Sequence, residues 1–114
     1  MTDRIEETIP EYVKVAKRSD LRGNRRLLLS VEGIDVLLLN VDGRVYAVNN
    51  VCPHQHFSAL HQGPLDGLEL TCPMHGSTYN IETGKAVGDG GVLTCYAVRF
   101  DGDDIEIERP KPKL

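Results

Sequence analysis

The sequence predicts an all-β protein, an antiparallel β-sandwich or barrel. Apolar and polar residues alternate over several short segments, which is the period of a half-buried strand. Turn-forming pairs such as Asp-Gly separate these segments, and no long helical stripe of apolar residues occurs. At 114 residues the chain has the length of one domain. We place that domain at residues 11–109, between a frayed lead-in of residues 1–10 and an extended tail of residues 110–114.

Four strands are predicted in the first half of the chain. They are Tyr12–Ala16, Arg26–Val31, Ile34–Val41 and Arg44–Val48. A turn or a single helical turn over Ser19–Asn24 separates the first two strands. Asp42-Gly43 joins the last two as a tight hairpin, because glycine accepts the positive φ that a type I′ turn requires.

Shorter strands are predicted in the second half. They are Leu68–Thr71, Thr78–Ile81, Leu93–Phe100 and Asp104–Glu108. The turns and loops between them are Gly63–Gly67, Glu82–Lys85, Gly88–Gly91 and Asp101–Asp103. Short strands with frequent turns are typical of sandwiches and barrels, so we expect no second domain.

Composition and charge exclude several classes of function. A net charge of −4 does not favour nucleic-acid binding, which usually shows a basic excess. No apolar run approaches the ~18 residues that a membrane span needs, so we expect no membrane partner. The acidic N-terminus lacks the apolar core of a secretory signal, which predicts a cytoplasmic protein. Three cysteines, an odd number, indicate metal or redox use rather than a disulfide framework.

Two short clusters carry the candidate metal ligands. The first is Cys52-x-His54, and the second, after seventeen intervening residues, is Cys72-x-x-His75. Structural zinc sites usually pair cysteine with cysteine and histidine with histidine, whereas each cluster here offers one thiolate and one imidazole. Mixed pairing suits an iron–sulfur cluster in which one iron takes both cysteines and the other takes both histidines. A zinc-stabilised binding module is the alternative.

The stretches Cys52-Pro53-His54 and Cys72-Pro73-Met74-His75-Gly76 resemble the two ligand loops of the Rieske 2Fe–2S family. The resemblance implies a cluster-binding subdomain with loops at residues 52–60 and 72–79. It also implies one 2Fe–2S cluster as the cofactor. The implied ligands are Cys52, His54, Cys72 and His75.

Ser77 and Tyr79 follow the second cluster by two and four residues. In the respiratory branch of the family, matching residues donate hydrogen bonds to a bridging sulfide and to a ligand cysteine, which implies a raised reduction potential. The alternative is that Ser77 only turns the loop and Tyr79 only packs in the core. The respiratory branch also joins its loops by a disulfide, and Phe57 and Met74 stand at those positions here. That difference favours a ferredoxin.

Other residues near the clusters are expected at the surface, in the core or around the histidine ligands. We expect His56 and His61 at the surface, and Cys95 as a small residue of the core. An apolar rim around the histidine ligands is also expected, formed by Pro53, Phe57, Pro73 and Met74.

The resemblance implies an electron-transfer protein rather than an enzyme. Its expected partners are a flavin reductase as donor and a terminal oxygenase as acceptor. A small Rieske subunit of a nitrite-reductase-like or other oxidoreductase complex is the alternative.

Overall fold

Three antiparallel β-sheets form the part of the protein that the structure describes. The structure, a computed structural model, describes residues 11–53, 57–74, 76–88 and 91–110. Within these ranges the strands, numbered along the chain, are β1 (Tyr12–Lys17), β2 (Arg26–Val31), β3 (Ile34–Val41), β4 (Arg44–Asn49), β5 (Leu65–Asp66), β6 (Glu69–Thr71), β7 (Thr78–Asn80), β8 (Cys95–Tyr96), β9 (Val98–Asp101) and β10 (Asp104–Glu108). The all-β antiparallel class predicted from the sequence is therefore confirmed.

Each strand belongs to one of these sheets. The central sheet has the order β2-β3-β4-β8, the outer sheet the order β1-β10-β9, and the smallest sheet the order β5-β6-β7. The described residues also include two short 3₁₀ helices, Arg18–Leu21 and Leu60–Gln62. No helix in the ranges given above is long and apolar enough to cross a membrane.

Strand β3 is buried on both faces, which places the central sheet between two layers. Val36, Leu37, Leu38 and Leu39 are all at most 1% exposed. Because successive side chains of a strand point to opposite faces, Leu37 and Leu39 pack into one apolar cluster, and Val36 and Leu38 into another. A continuous apolar run of this kind is typical of a strand covered on both sides.

The two clusters define two cores. The loop-side core comprises Leu37, Leu39, Val48, Cys52, Leu60, Leu70, Cys72, Tyr79, Ile81 and Leu93. The sheet-side core comprises Ala16, Leu21, Val31, Val36, Leu38, Ala47, Ile105 and Ile107. The first core contains both candidate cysteine ligands, and the second joins the central sheet to the outer sheet.

One long strand was predicted over Leu93–Phe100, and this prediction is wrong. The chain pairs with β4 at Cys95 and Tyr96, and after Ala97 it pairs with β10 as strand β9. The Ala97 carbonyl accepts a hydrogen bond from the Glu108 N–H at 2.9 Å at the crossing point. The segment thus leaves one sheet for another at Ala97.

The predicted turns differ in outcome. Asp42 and Gly43 have φ values of 54° and 91°, as a type I′ hairpin requires. The predicted turn over Gly63–Gly67 is shorter than expected, because Leu65 and Asp66 pair with Leu70 and Glu69 as strand β5.

Gly84 allows two segments beside the loop-side core to approach closely. Its φ is +81°, and a Cβ atom at this position would lie 2.2 Å from the Leu93 carbonyl oxygen. We expect Gly84→Ala to lower the free energy of unfolding by about 2–4 kcal/mol, measured by urea denaturation, from backbone strain and overpacking together. Gly102→Ala is the matched control, since its φ is +61° but a Cβ would meet nothing within 4 Å. Equal losses in the two variants would contradict the close-approach explanation.

Candidate metal centre

Both candidate cysteine ligands are completely buried at the start of a loop. Cys52 follows strand β4 and Cys72 follows strand β6, and each is 0% exposed. Both belong to the loop-side core, so the two loops stand on the same apolar layer. Their partners in the sequence, His54 and His75, lie outside the described residues, as does His56.

The first loop is closed at its base by a short antiparallel ladder. The Cys52 N–H donates to the Phe57 carbonyl at 2.9 Å, and Val51 forms a bridge with Ser58. One step further out, the Leu60 N–H donates to the Asn50 carbonyl at 3.2 Å. The backbone on both sides of Cys52 is thereby tied to the returning chain.

The second loop is closed in the same way. The Cys72 N–H donates to the Ser77 carbonyl at 2.7 Å, again five residues further along the chain. The Gly76 N–H donates back to the Cys72 carbonyl at 2.9 Å, and Gly76 has a φ of +83°, which glycine adopts without strain. In both loops, therefore, the N–H of the cysteine donates to the carbonyl of the residue five positions later.

Tyr79 connects the two loops. It lies on β7, directly after the second loop, yet its hydroxyl oxygen is 3.5 Å from the Cys52 sulfur of the first loop. Burial, above all, and the contact with Cys52 raise the pKa of Tyr79 to about 12, and the nearby Cys72 also raises it. A hydrogen bond with Ser77 acts in the opposite direction. The four predicted site residues that the structure describes thus meet around one phenol.

Arg26 supports the segment between the loops, a role that the sequence analysis did not predict. Its Nη1 atom donates to the carbonyl oxygens of His61 and Gly63, at 2.9 and 2.6 Å. Gly63 itself lies so close to the second loop that a Cβ would sit 1.8 Å from the Thr71 carbonyl oxygen. Arg26 is half-buried and belongs to a sequence region rich in basic residues, where composition does not distinguish such a role from that of a solvated side chain.

Two expectations about single residues need correction. His61 was expected at the surface, but it is half-buried, and its Nδ1 atom lies 2.9 Å from Nδ2 of Asn50. Cys95 was expected to be buried and is only partly so. Its sulfur donates to the Ile81 carbonyl at 3.4 Å, and burial raises the pKa of its thiol. Asn50 itself was not singled out as a site residue, although it lies two positions before Cys52.

Exposed apolar side chains surround the loops. Phe57 in the first loop and Met74 in the second are joined by Val87 and Val92, and all four are between 49% and 68% exposed. The Val87 N–H donates to the Thr78 carbonyl at 2.8 Å, which places that segment beside the second loop. Of the rim residues predicted, Phe57, Pro73 and Met74 are exposed, while Pro53 is half-buried.

The buried thiols fit an iron–sulfur cluster. Two sulfur ligands enter one apolar core from two loops, with a hydroxyl group beside one of them. In the part of the chain that the structure describes, no group of three or more His, Cys, Asp or Glu side chains forms a metal site; two of the four predicted ligands lie outside that part.

Comparisons with known proteins agree with this geometry. A family model described as the Rieske [2Fe-2S] domain matches residues 11–97. The chain is 32% identical over 77 residues to the ferredoxin component of a naphthalene 1,2-dioxygenase system from Pseudomonas putida, covering 68% of this chain and 73% of the relative. It is 37% identical over 79 residues to the ferredoxin subunit of a 3-phenylpropionate/cinnamic acid dioxygenase from Escherichia coli strain K12, covering 67% and 74%.

A solved structure is similar over nearly its whole length. The ferredoxin of carbazole 1,9a-dioxygenase from Nocardioides aromaticivorans IC177 superposes with a TM-score of 0.75 at 28% identity, covering 87% of this chain and 98% of the other. These relatives are named as ferredoxins, which are electron carriers rather than enzymes. The cofactor is one Rieske 2Fe–2S cluster. By the match to its domain model and by these relatives, the chain belongs to the Rieske family.

Proposed function

We propose that the protein is a cytoplasmic one-electron carrier that receives electrons from a flavin reductase and passes them to a terminal oxygenase. The observation that carries the proposal is the meeting of Cys52 and Cys72, each at the start of a closed loop, in one buried core. The ferredoxins of dioxygenase systems among its relatives support the choice of partners. When bound, a Rieske cluster supplies reversible uptake of one electron.

We assign the ligands as Cys52, His54, Cys72 and His75. Burial keeps water away from the two sulfur atoms, which favours thiolates that are bound to metal over thiolates left in solvent. Two thiolates balance the charge of two ferric ions and two sulfides, so the oxidised centre is neutral. Four thiolates would leave a charge of −2, and an electron is added more easily to a neutral centre.

Tyr79 acts as a hydrogen-bond donor in this proposal. Because the pKa of its phenol is raised to about 12, the hydroxyl keeps its proton at neutral pH. It can then donate to the Cys52 sulfur, which accepts as a thiolate. A donor beside a sulfur ligand stabilises negative charge there, and we assign Ser77 a supporting role next to the same phenol.

The exposed apolar side chains around the loops form the docking surface that we propose for both partners. Phe57 and Met74 on the two ligand loops, and Val87 beside the second loop, expose large apolar areas, and Val92 lies on the segment that pairs with Lys85. Exposed apolar patches on soluble proteins commonly mark interaction sites. Redox partners meet through small interfaces, so a few such residues can supply much of the binding free energy.

The ligand assignment predicts that substituting Cys72 abolishes iron binding and that substituting Cys95 does not. Cys72→Ser should remove the visible absorption and the bound iron, because it removes a buried ligand. Cys95→Ser is the control and should retain both, since Cys95 contacts backbone carbonyls. Iron and sulfide analysis with visible spectroscopy measures the outcome. A colourless wild-type protein that contains zinc would overturn the proposed function.

The hydrogen-bond assignment predicts a lower reduction potential in Tyr79→Phe and in Ser77→Ala. Loss of the charge-assisted bond from Tyr79 to Cys52 should lower the potential by roughly 65–130 mV, and loss of the supporting Ser77 hydroxyl should lower it by less. Tyr96→Phe is the matched control, because the Tyr96 hydroxyl accepts from Asn49 at 3.1 Å. Spectroelectrochemical titration measures the three potentials. If Tyr79→Phe and Ser77→Ala both keep the wild-type value, the assignment is wrong.

The docking assignment predicts slower electron transfer without a change in potential. Phe57→Ser and Met74→Ser should each slow transfer to the purified oxygenase of a naphthalene dioxygenase system by about tenfold, through lost apolar burial. Leu28→Ser is the control, because Leu28 is also exposed but lies on strand β2. Stopped-flow absorbance measures the rates. Equal slowing by all three substitutions would speak against a docking surface at the loops.

A further inference from the structure

A buried amide lies at the base of the first loop. Asn50 is 0% exposed, and among the described residues it is the one buried residue with an amide or charged side chain. Its backbone N–H donates to the Asp35 carbonyl at 2.9 Å, and its carbonyl accepts from the Leu60 N–H. The backbone of Asn50 therefore already joins the start of strand β3 to the end of the loop.

The side chain of Asn50 adds two further contacts. Its Nδ2 atom lies 2.9 Å from the Ser58 hydroxyl oxygen and 2.9 Å from Nδ1 of His61. The Ser58 hydroxyl in turn donates to the Asp35 carboxylate at 2.5 Å. Asp35, Ser58, Asn50 and His61 thus form one chain of hydrogen bonds across the base of the loop.

In this series of hydrogen bonds, each donor assignment determines the next acceptor. A serine hydroxyl has one hydrogen, and here it is committed to the Asp35 carboxylate, so the Ser58 oxygen must accept from Asn50. The second hydrogen of the amide then faces His61, whose Nδ1 atom must accept. A neutral His61 consequently carries its proton on Nε2.

The orientation of the Asn50 amide follows from the contacts of its Nδ2 atom. Oδ1 of Asn50 is buried without a hydrogen-bond partner among the described residues. Buried polar atoms in native proteins are normally paired, and in this amide the paired atom is Nδ2, which contacts Ser58 and His61. Turning the amide over would direct Oδ1 at Ser58, whose only hydrogen is already used.

We propose that Asn50 is the positioning residue of the first ligand loop, and that Asp35, acting through Ser58, sets the orientation of its amide. Cys52 lies two residues beyond Asn50, and its N–H is held by the returning chain just outside this hydrogen-bonded base. The proposal rests on the proposed function, because it concerns how Cys52 is presented to the cluster. The amide contacts Ser58 and His61 and is not one of the ligands that we assign.

The test compares two asparagines, Asn50 beside the start of β3 and Asn40 near the end of that strand. Asn50→Leu removes the amide at the loop, and Asn40→Leu is the matched control. The Asn40 side chain donates to the Leu21 carbonyl and accepts from the Gly43 N–H, so it also loses two hydrogen bonds. We expect Asn50→Leu to lose its visible absorption to an iron chelator about tenfold faster than wild type, and to shift the potential. Asn40→Leu should do neither at a similar loss of unfolding free energy.

A milder variant covers the case in which Asn50→Leu does not fold. Ser58→Ala removes only the hydroxyl of an exposed residue, and should release iron faster than wild type, whereas Ser58→Thr should restore the wild-type rate. If iron release in all variants simply follows their loss of unfolding free energy, the role of Asn50 is structural only and the proposal is overturned.

Nitrogen NMR of the His61 ring tests the hydrogen-bond chain independently of iron. Wild-type protein should show the Nε2–H tautomer, and Ser58→Ala should show a mixture because the amide can then turn over. An Nδ1–H tautomer in the wild type would overturn the proposal. This result does not depend on the visible spectrum of the wild type, which tests the proposed function by itself.

Discussion

The burial of strand β3 on both faces is the constraint on which the rest of the structure depends. Four consecutive aliphatic residues, Val36 to Leu39, are almost completely excluded from solvent. Each such side chain contributes about 1.5–3 kcal/mol when fully buried, which requires a layer on either side of the sheet. The outer sheet supplies one layer. The other is supplied by the two loops and the strands between them, so the loops are part of the core.

This arrangement anchors both loops at their bases. Cys52 and Cys72 contribute to the same core as Leu37 and Leu39, and their N–H groups are bound by returning backbone. Tyr79 ties the second loop to the first, and Arg26 holds the segment between them from the central sheet. An electron carrier benefits from a firmly held centre, because a centre that moves little on gaining an electron has a small reorganisation energy for electron transfer. The apolar rim faces outwards from the same loops and leaves them accessible to a partner.

Polar contacts refine what apolar packing establishes. The loop-side core would bring the loops together without Asn50, yet the amide defines how the first loop leaves β4. Its orientation depends on a carboxylate at the start of β3, the strand that also organises both cores. The same strand therefore supports the site by packing at its centre and by hydrogen bonding at its end.

Local patterns in the sequence determined the strands, the tight turns and the class of site. Alternation and Asp-Gly pairs depend on neighbouring residues, and they located β1 to β4 almost to the residue. The Cys-x-His and Cys-x-x-His spacings depend on short loops and indicated the family. Only the tertiary structure decided that the chain changes sheets at Ala97, that His61 is half-buried against Asn50, and that the Tyr79 hydroxyl reaches Cys52. Tyr79 and Cys52 are 27 residues apart, and contacts at such separations follow from how the layers pack, which no local pattern records.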